Sequence, residues 1–562
     1  MGSTEFSFDS REKALEGFKS KIFDFLIVGG GITGAAVAKD AASRGLKVAL
    51  VDKNDFAFGT SSRSSKLIHG GLRYLENFEF GLVFESLAER ALLLKSVPHM
   101  VKPLPFYLPV YKGDRNGRFV LSLGLFLYDI LALFRTPEFH RGLSKKQISK
   151  LIPSLRTEGL TGGFKYYDAS MWDDVLTVET VRAASMCGAN IANYVEAVAP
   201  IWKNDRIVGF RVRDLEKPPG EGEVDLRAKS IIICAGPWTD KVGRLLSPDW
   251  QPWLSPSRGV HLVFDIKRLP VPGAIVMSNK DDGRISFVIP RQDFGSGVVI
   301  VGTTDGPSNP QPENTQVESS DVKYLMDLLN KYFPSCNLTT EDILSAYVGV
   351  RPLIGGGTGA QTLQKVSREH RVDRGPGGTV VVAGGKYTTH RKMAEEIVDF
   401  SLSVWKEDYG AGRADAYPNE IGPSRTKEGQ LRQPEQSLIT ARKIPKELVD
   451  RYGADANEIL DIHASSQLPV VHLPADPEGF PYLAAQLRYA VRNGMVLHLD
   501  DFYFRRTALF AARKDHGLPW AMGLARILLE EMNLDPSIAD EEVQRLNKEV
   551  ERRTAWIRRI AP

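Results

Sequence analysis

Cysteine is scarce in this chain of 562 residues: three occur, Cys187, Cys234 and Cys336, far apart in sequence. That excludes a disulfide framework and any cysteine-built metal site, and it fits a reducing compartment. An excess of one charge sign is missing as well. The 72 Lys+Arg against 69 Asp+Glu leave a net charge of +3, which offers no field to attract nucleic acid. No apolar run is long enough to span a bilayer. The first twenty residues are polar, carry both charge signs and have no signal-peptide core, so no secretory leader is expected. Repeats and low-complexity tracts are absent, and no metal site is expected. What remains is ordinary globular material, 43% hydrophobic and 25% charged, long enough for two to four domains.

The most informative stretch is Asp24-Phe25-Leu26-Ile27-Val28-Gly29-Gly30-Gly31-Ile32-Thr33-Gly34. A β-branched apolar run meets a glycine cluster and continues into small helix formers. Gly29, Gly31 and Gly34 match G-x-G-x-x-G: a tight turn, a close backbone approach to a pyrophosphate, and close packing of helix on strand. The amides at the helix start then face the anion. A bare glycine motif is weak evidence, but Lys47-Val48-Ala49-Leu50-Val51 predicts a second strand ending in Asp52. That acid stands where a Rossmann β-α-β unit needs an acceptor for a ribose hydroxyl.

Residues 59–75 follow, a Ser/Thr-rich loop with three glycines and three cations. This is poor core material and good material for wrapping phosphates. Helical spacing predicts helices over residues 78–97 and 320–333. Strands are predicted from Asn190 onward, continuing by alternation to Val212, and at residues 230–234, ending in the small Ala235 and Gly236. Residues 253–304 read as β-rich, with alternation around His261. Another buried strand, residues 379–383, runs into Gly384-Gly385-Lys386. Residues 408–435 are rich in Gly, Pro and charge, a linker composition, and the remainder reads as helical. Residues 119–134 are the most apolar stretch. Ser122 and Asp129, seven apart, share one narrow helical face, and basic residues flank both ends (Lys112, Arg115, Arg118, Arg135). Such a helix suits either a buried position or a bilayer interface.

Strands at residues 24, 190, 231 and 380 imply a nucleotide domain assembled from distant segments with another domain inserted. NAD dehydrogenases usually keep theirs contiguous, so the pattern favours a flavin. The chain closely resembles the FAD-dependent respiratory glycerol-3-phosphate dehydrogenases, members of the glycine oxidase-like flavoproteins. The resemblance rests on Thr60-Ser61-Ser62 through Ser65-Lys66-Leu67-Ile68-His69-Gly70-Gly71-Leu72-Arg73-Tyr74-Leu75, and on Ile300-Val301-Gly302-Thr303-Thr304-Asp305. Val348-Gly349-Val350-Arg351-Pro352-Leu353 and Gly384-Gly385-Lys386-Tyr387-Thr388-Thr389 complete it.

It implies an α/β fold with a Rossmann-like FAD domain over residues 20–100, 155–250 and 345–405. A β-rich substrate- and membrane-contacting domain would occupy 101–154 and 251–344, a linker 406–435, and a helical domain 436–562. The implied reaction oxidises sn-glycerol 3-phosphate to dihydroxyacetone phosphate, with hydride passed to flavin and electrons to quinone. Arg351 and Arg368 match the phosphate-site arginines, whose fork suits phosphate oxygens. Arg73, Tyr74, Lys386 and Thr388 match the pocket beside the flavin ring. His261 matches a histidine facing the substrate, the candidate base, with Lys386 its rival. Gly29, Gly31, Ile32, Thr33, Gly34 and Asp52 would hold the nucleotide half of FAD. Thr60, Ser61, Ser65, Lys66, Leu67 and His69 would wrap the rest. Ala235, Gly236, Gly385, Lys386 and Thr388 would line the strand ends beneath it. In the family, the segment like 119–134 seats the enzyme peripherally on the membrane, here expected at the cytoplasmic face. The absence of a long substrate-domain insertion favours a dehydrogenase over an oxygen-using glycerol-phosphate or amino-acid oxidase. A flavin-bound sensor is the non-catalytic rival. The sequence leaves oligomeric state open, a homodimer included.

Overall fold

The computed structural model describes residues 6–76, 78–355, 370–409, 421–422, 424, 442–465 and 473–560. Two sheets lie at its centre. The first runs His370–Arg374, Val380–Gly384, Glu223–Ile233, Ile22–Val28, Val48–Val51, Asn190–Ala192, its five inner and last strands parallel. Val195–Lys203 and Arg206–Asp214 extend it as an antiparallel meander from Glu223–Ile233. Paired neighbours in this sheet are as far apart in sequence as Ile22 and Arg227, the discontinuous nucleotide fold expected from the scattered strands. Six of seven residues in Ile22–Val28 are buried, because a parallel sheet is covered on both faces. The helix Ile32–Ser43 closes against it on a face of small residues, Ala35, Ala38 and Ala41, that admits close backbone approach. Asp24, buried at the strand's start, accepts the Lys47 amide at 2.8 Å and the Lys229 ammonium at 2.9 Å.

The second sheet has ten strands, among them Val101–Tyr111, Leu160–Met171, Ser257–Asp265, Ala274–Ser278, Ile285–Arg291, Val298–Gly302 and Ile343–Arg351. In Ser257–Asp265, period two sends Val260, Leu262 and Phe264 into a core with the helix Ser319–Tyr332. His261 takes the other face. Leu160–Met171 and Ile343–Arg351 pair in this sheet, whereas the boundaries expected at 155 and 345 give them to the nucleotide domain. Strand partners are long-range, and alternation within a strand does not say which sheet it joins. The strand expected to run from Asn190 to Val212 is three: the chain breaks at Tyr194 and again at Asn204, which have left-handed φ of +54° and +57°. The expected linker lies outside the described residues apart from 406–409, 421–422 and 424, and 406–409 are the end of the helix His390–Tyr409.

Helices from Lys446–Tyr452 to Ala539–Thr554, the longest of them, form the described C-terminal region. Buried ion pairs join it to the nucleotide sheet. Fully buried Asp55 accepts from Arg505 Nε at 2.5 Å and from Arg506 at 2.8 and 2.9 Å. His498 bridges Glu216 at 3.1 Å and Glu542 at 2.9 Å.

The apolar stretch forms the helix Arg118–Leu131, and its polarity is inverted. Leu125, Tyr128 and Asp129 face inward, with Asp129 held by His140 Nδ1 at 2.7 Å. Phe119, Leu123 and Phe126 face outward, exposed by 83%, 61% and 52%. Among the described residues no helix is long and apolar enough to cross a membrane.

Candidate active site

Where Ile22–Val28 ends, Gly29 adopts φ +112°, and a Cβ there would stand 2.4 Å from the Cys234 carbonyl. A Cβ on Gly34 would meet the Gly29 carbonyl at 1.9 Å. The turn therefore needs glycine at both positions. The amide of Ile32, at the helix start, donates to Ser61 Oγ at 2.9 Å, which pins the 60–66 loop across the helix N-terminus. Asp52 accepts Gly30 N at 2.6 Å and Asn54 N at 2.8 Å. Burial raises its carboxyl to about 6 against the pull of those two amides.

A cavity of about 560 Å³ opens from this turn. One end is lined by Asp52, Asn54 and residues 195–197, and the other by Tyr74, His261, Arg351 and Lys386. A cavity that opens from a glycine cradle and has a volume in the range of cofactor sites fits a dinucleotide.

At the far end, His261 is buried and stacks on Tyr347 with ring centroids 4.8 Å apart and planes 14° apart. Its Nε2 pairs with Ser65 Oγ at 2.9 Å. Burial, with the cations Arg351 and Lys66 nearby, pulls its pKa down to about 3, so the imidazole is neutral. Arg351, last residue of its strand, is held by Thr303 Oγ1 at 2.9 Å, Arg258 O at 3.1 Å, Ser257 Oγ at 3.2 Å, Thr304 O at 3.2 Å and Asp305 at 3.4 Å. These contacts fix the plane of the guanidinium. Lys386 Nζ lies 3.6 Å from the centre of the Tyr74 ring, a cation–π contact. Thr388 Oγ1 bonds the backbone of His69, N at 3.4 Å and O at 3.5 Å, tying two cavity loops together.

The structure brings most of the expected residues to one cavity: Gly29, Gly31, Ile32, Thr33, Asp52, Thr60, Ser61, Ser65, Leu67 and His69 from the first third of the chain. Ala235, Gly236, His261, Arg351, Gly385, Lys386 and Thr388 come from the rest, with Tyr74. Gly34 sits beneath the wall as a packing residue. Lys66 is behind it: its ammonium pairs with buried Asp173 and donates to Ser62 O at 3.2 Å. It therefore acts on the loop's shape, not at the cavity surface. Arg368 and the Arg73 side chain lie outside the described residues. Sequence reasoning missed residues 195–197, Trp238 and the props Asp173 and Tyr347. Tyr347 OH donates to Ser64 O at 3.0 Å and Asp173 accepts Ser64 Oγ at 2.7 Å. The signal available for Asp173 was an acid inside the apolar run Met171-Trp172-Asp173, since a buried acid needs a partner.

The model for FAD dependent oxidoreductases matches residues 24–397, and that for the C-terminal domain of alpha-glycerophosphate oxidase matches residues 421–538. The aerobic glycerol-3-phosphate dehydrogenase of Staphylococcus aureus (strain USA300) is 34% identical over 561 residues, 96% of this chain and 97% of that protein. The crystal structure of the glycerol-3-phosphate dehydrogenase from Bacillus halodurans complexed with FAD superposes with a TM-score of 0.77 at 28% identity, covering 98% of each chain. The dithionite-reduced L-alpha-glycerophosphate oxidase of Mycoplasma pneumoniae, 19% identical with a TM-score of 0.51, shares the fold over 68% of this chain and 95% of its own. With FAD as its cofactor, the chain belongs to the FAD-dependent oxidoreductases and, among them, to the glycerol-3-phosphate dehydrogenase family.

Proposed function

We propose that the enzyme oxidises the secondary alcohol of sn-glycerol 3-phosphate to dihydroxyacetone phosphate at the end of the cavity lined by Tyr74, His261, Arg351 and Lys386. The observation that carries this is the meeting of two cations and a neutral imidazole beside a dinucleotide cavity. FAD, when bound, supplies the hydride acceptor. Arg351, its plane already fixed, grips the phosphate through its fork, joined by Arg368 and Arg73. Lys386 balances the remaining negative charge. His261 takes the hydroxyl proton at Nε2 as the hydride leaves carbon 2, with Ser65 orienting the ring. A neutral imidazole is the competent form for that step, which favours His261 as base.

We further assign the nucleotide sheet's segments to the cofactor domain, and the second sheet with its helices to the substrate domain. The outward apolar face of Arg118–Leu131 seats the enzyme peripherally on a membrane, where the reduced cofactor passes its electrons to a quinone. That face has seven outward apolar side chains between Phe119 and Phe134, with Arg115 and Arg135 at its ends.

Anaerobic addition of glycerol 3-phosphate is expected to bleach the flavin absorbance, and glycerol or an amino acid is expected to leave it unchanged. Bleaching by an amino acid but not by the phosphoester refutes the substrate assignment. Turnover with oxygen as fast as with a quinone analogue refutes the acceptor.

A further inference from the structure

Behind the cofactor loop, a second and much smaller cleft lies between the strand Ile343–Arg351 and the last long helix, Ala539–Thr554. It is lined by Arg63, Gln316, Tyr347, Arg552, Arg553 and Trp556, among others. Its cavity volume is about 30 Å³, enough for two or so waters or one small tetrahedral oxyanion and far too little for a cofactor.

Its charge does not balance. Arg505, close by, is neutralised by Asp55 and Asp501 at 2.5 and 2.6 Å. Glu549 serves Arg552 and Arg553 together, at 2.7 Å each. Arg63 pairs with no carboxylate directly, and the one whose charge favours it, Glu549, is already shared by the other two arginines: among the described residues its side chain makes no hydrogen bond or ion pair, its Nη2 is buried without a partner, and its guanidinium lies 5.1 Å from the centre of the Phe58 ring. Guanidinium groups stay charged, so burial beside Arg552 and Arg553 raises the cost of this charge without discharging it. A second donor in the same cleft is also unsatisfied. Trp556 is 4% exposed and its Nε1 has no hydrogen-bond partner among the described residues. Two residues with orphan donors and two arginines that share a single carboxylate line one small space, a composition that suits an oxyanion.

We propose that this cleft is a binding site for inorganic phosphate or a similar small oxyanion, held by Arg63, Arg552, Arg553 and the Trp556 indole N–H. Arg63 stands between Ser61 and Ser65, which line the FAD cavity, so the bound anion clamps the last helix to the cofactor loop and slows release of FAD.

Arg63 also borders the FAD cavity, so the anion it needs has two sources, free phosphate or the diphosphate of FAD itself. The test separates them. Inorganic phosphate is titrated calorimetrically into FAD-loaded enzyme carrying Arg351→Gln, which weakens phosphate binding at the substrate pocket. One phosphate per chain is expected. Arg552→Gln should weaken it by about tenfold or more, the loss of a charge-assisted contact. Trp556→Phe, which keeps the ring and removes only the N–H, should weaken it several-fold. FAD release from otherwise wild-type enzyme should slow in phosphate, and Arg552→Gln should abolish that slowing. The proposal is overturned if the FAD-loaded enzyme binds no phosphate, if both variants bind as before, or if phosphate binds only the FAD-free protein. The last result would make the cofactor's diphosphate the partner of Arg63.

Discussion

Substituting Leu123 by Glu tests the membrane assignment at its most exposed aliphatic position. The seven outward side chains, Phe119, Val120, Leu123, Phe126, Ile130, Leu133 and Phe134, are exposed by between 38% and 83%. At about 2 kcal/mol for full burial of each, weighted by exposure, their transfer into lipid amounts to about 8 kcal/mol. Holding a protein at a surface costs several kcal/mol of that. The balance is a reversible, peripheral attachment. Leu123, 61% exposed, contributes about 1 kcal/mol. Glutamate removes this and adds about 1 kcal/mol of repulsion from anionic headgroups. Together, about 2 kcal/mol predicts roughly a thirtyfold weaker partition onto vesicles. Leu123→Glu with Phe126→Glu predicts about a thousandfold. Flotation with phosphatidylglycerol-containing vesicles reads the partition, and activity on a water-soluble quinone analogue in detergent controls for folding. A folded Leu123→Glu enzyme that partitions within twofold of the wild type refutes the argument.

Arg351→Ala should raise KM for glycerol 3-phosphate by two orders of magnitude or so through loss of a bidentate phosphate contact, and steady-state kinetics checks it. Gly34→Ala places a methyl 1.9 Å from the Gly29 carbonyl and should yield protein without bound flavin, seen directly in the absorption spectrum. His261, neutral with a pKa near 3, predicts that kcat/KM, corrected for titration of the substrate phosphate, shows no acid limb near 6.5. A limb there that vanishes in His261→Gln refutes the buried neutral base. His498 has the opposite sign. Burial opposes its charge, but Glu216 and Glu542 outweigh that and raise its pKa to about 10. Its stabilisation is complete below the unfolded value of 6.5 and lost as pH rises toward 10, about 3 kcal/mol of it by pH 8.5. Thermal melts should therefore fall across that window, and His498→Gln should flatten them.

The nucleotide half of the site was legible because its constraints are local. Gly29, Gly31 and Gly34 answer to a single turn, and Asp52 to the next strand end. The strand endings at Ala235 and Gly385 were legible for the same reason, small residues closing apolar runs. The substrate end was not readable from spacing. His261, Arg351 and Lys386 are separated by 35 to 125 residues; the first two meet because Ser257–Asp265 pairs with Ile343–Arg351 in a register that sets His261 beside Tyr347, and Lys386 arrives from the end of a strand in the other sheet. Pairing of that kind is a long-range choice, so the resemblance, not the pattern, supplied those residues. Lys66 shows the limit of motif transfer: it belongs to the most specific signature in the chain, yet its charge is spent on Asp173 behind the loop.

The helix Arg118–Leu131 shows a different limit. Its composition was clear, but Ser122 and Asp129 on one face read equally as the solvent side of a buried helix. Tertiary partners decide the matter. Tyr128 OH donates to Asp168 at 2.8 Å and accepts the Gly70 amide at 2.8 Å, while Arg90 bonds the same carboxylate at 2.5 Å. Polar groups that already have buried partners do not need water, so the polar side turns inward and the aromatic side is left outside. Gly70 belongs to the loop that carries Tyr74 to the Lys386 end of the cavity. The inward face of the exposed helix and the substrate loop are thus one hydrogen-bonded unit. The apolar surface could not be turned inward without unmaking the contacts that hold the loop of the active site.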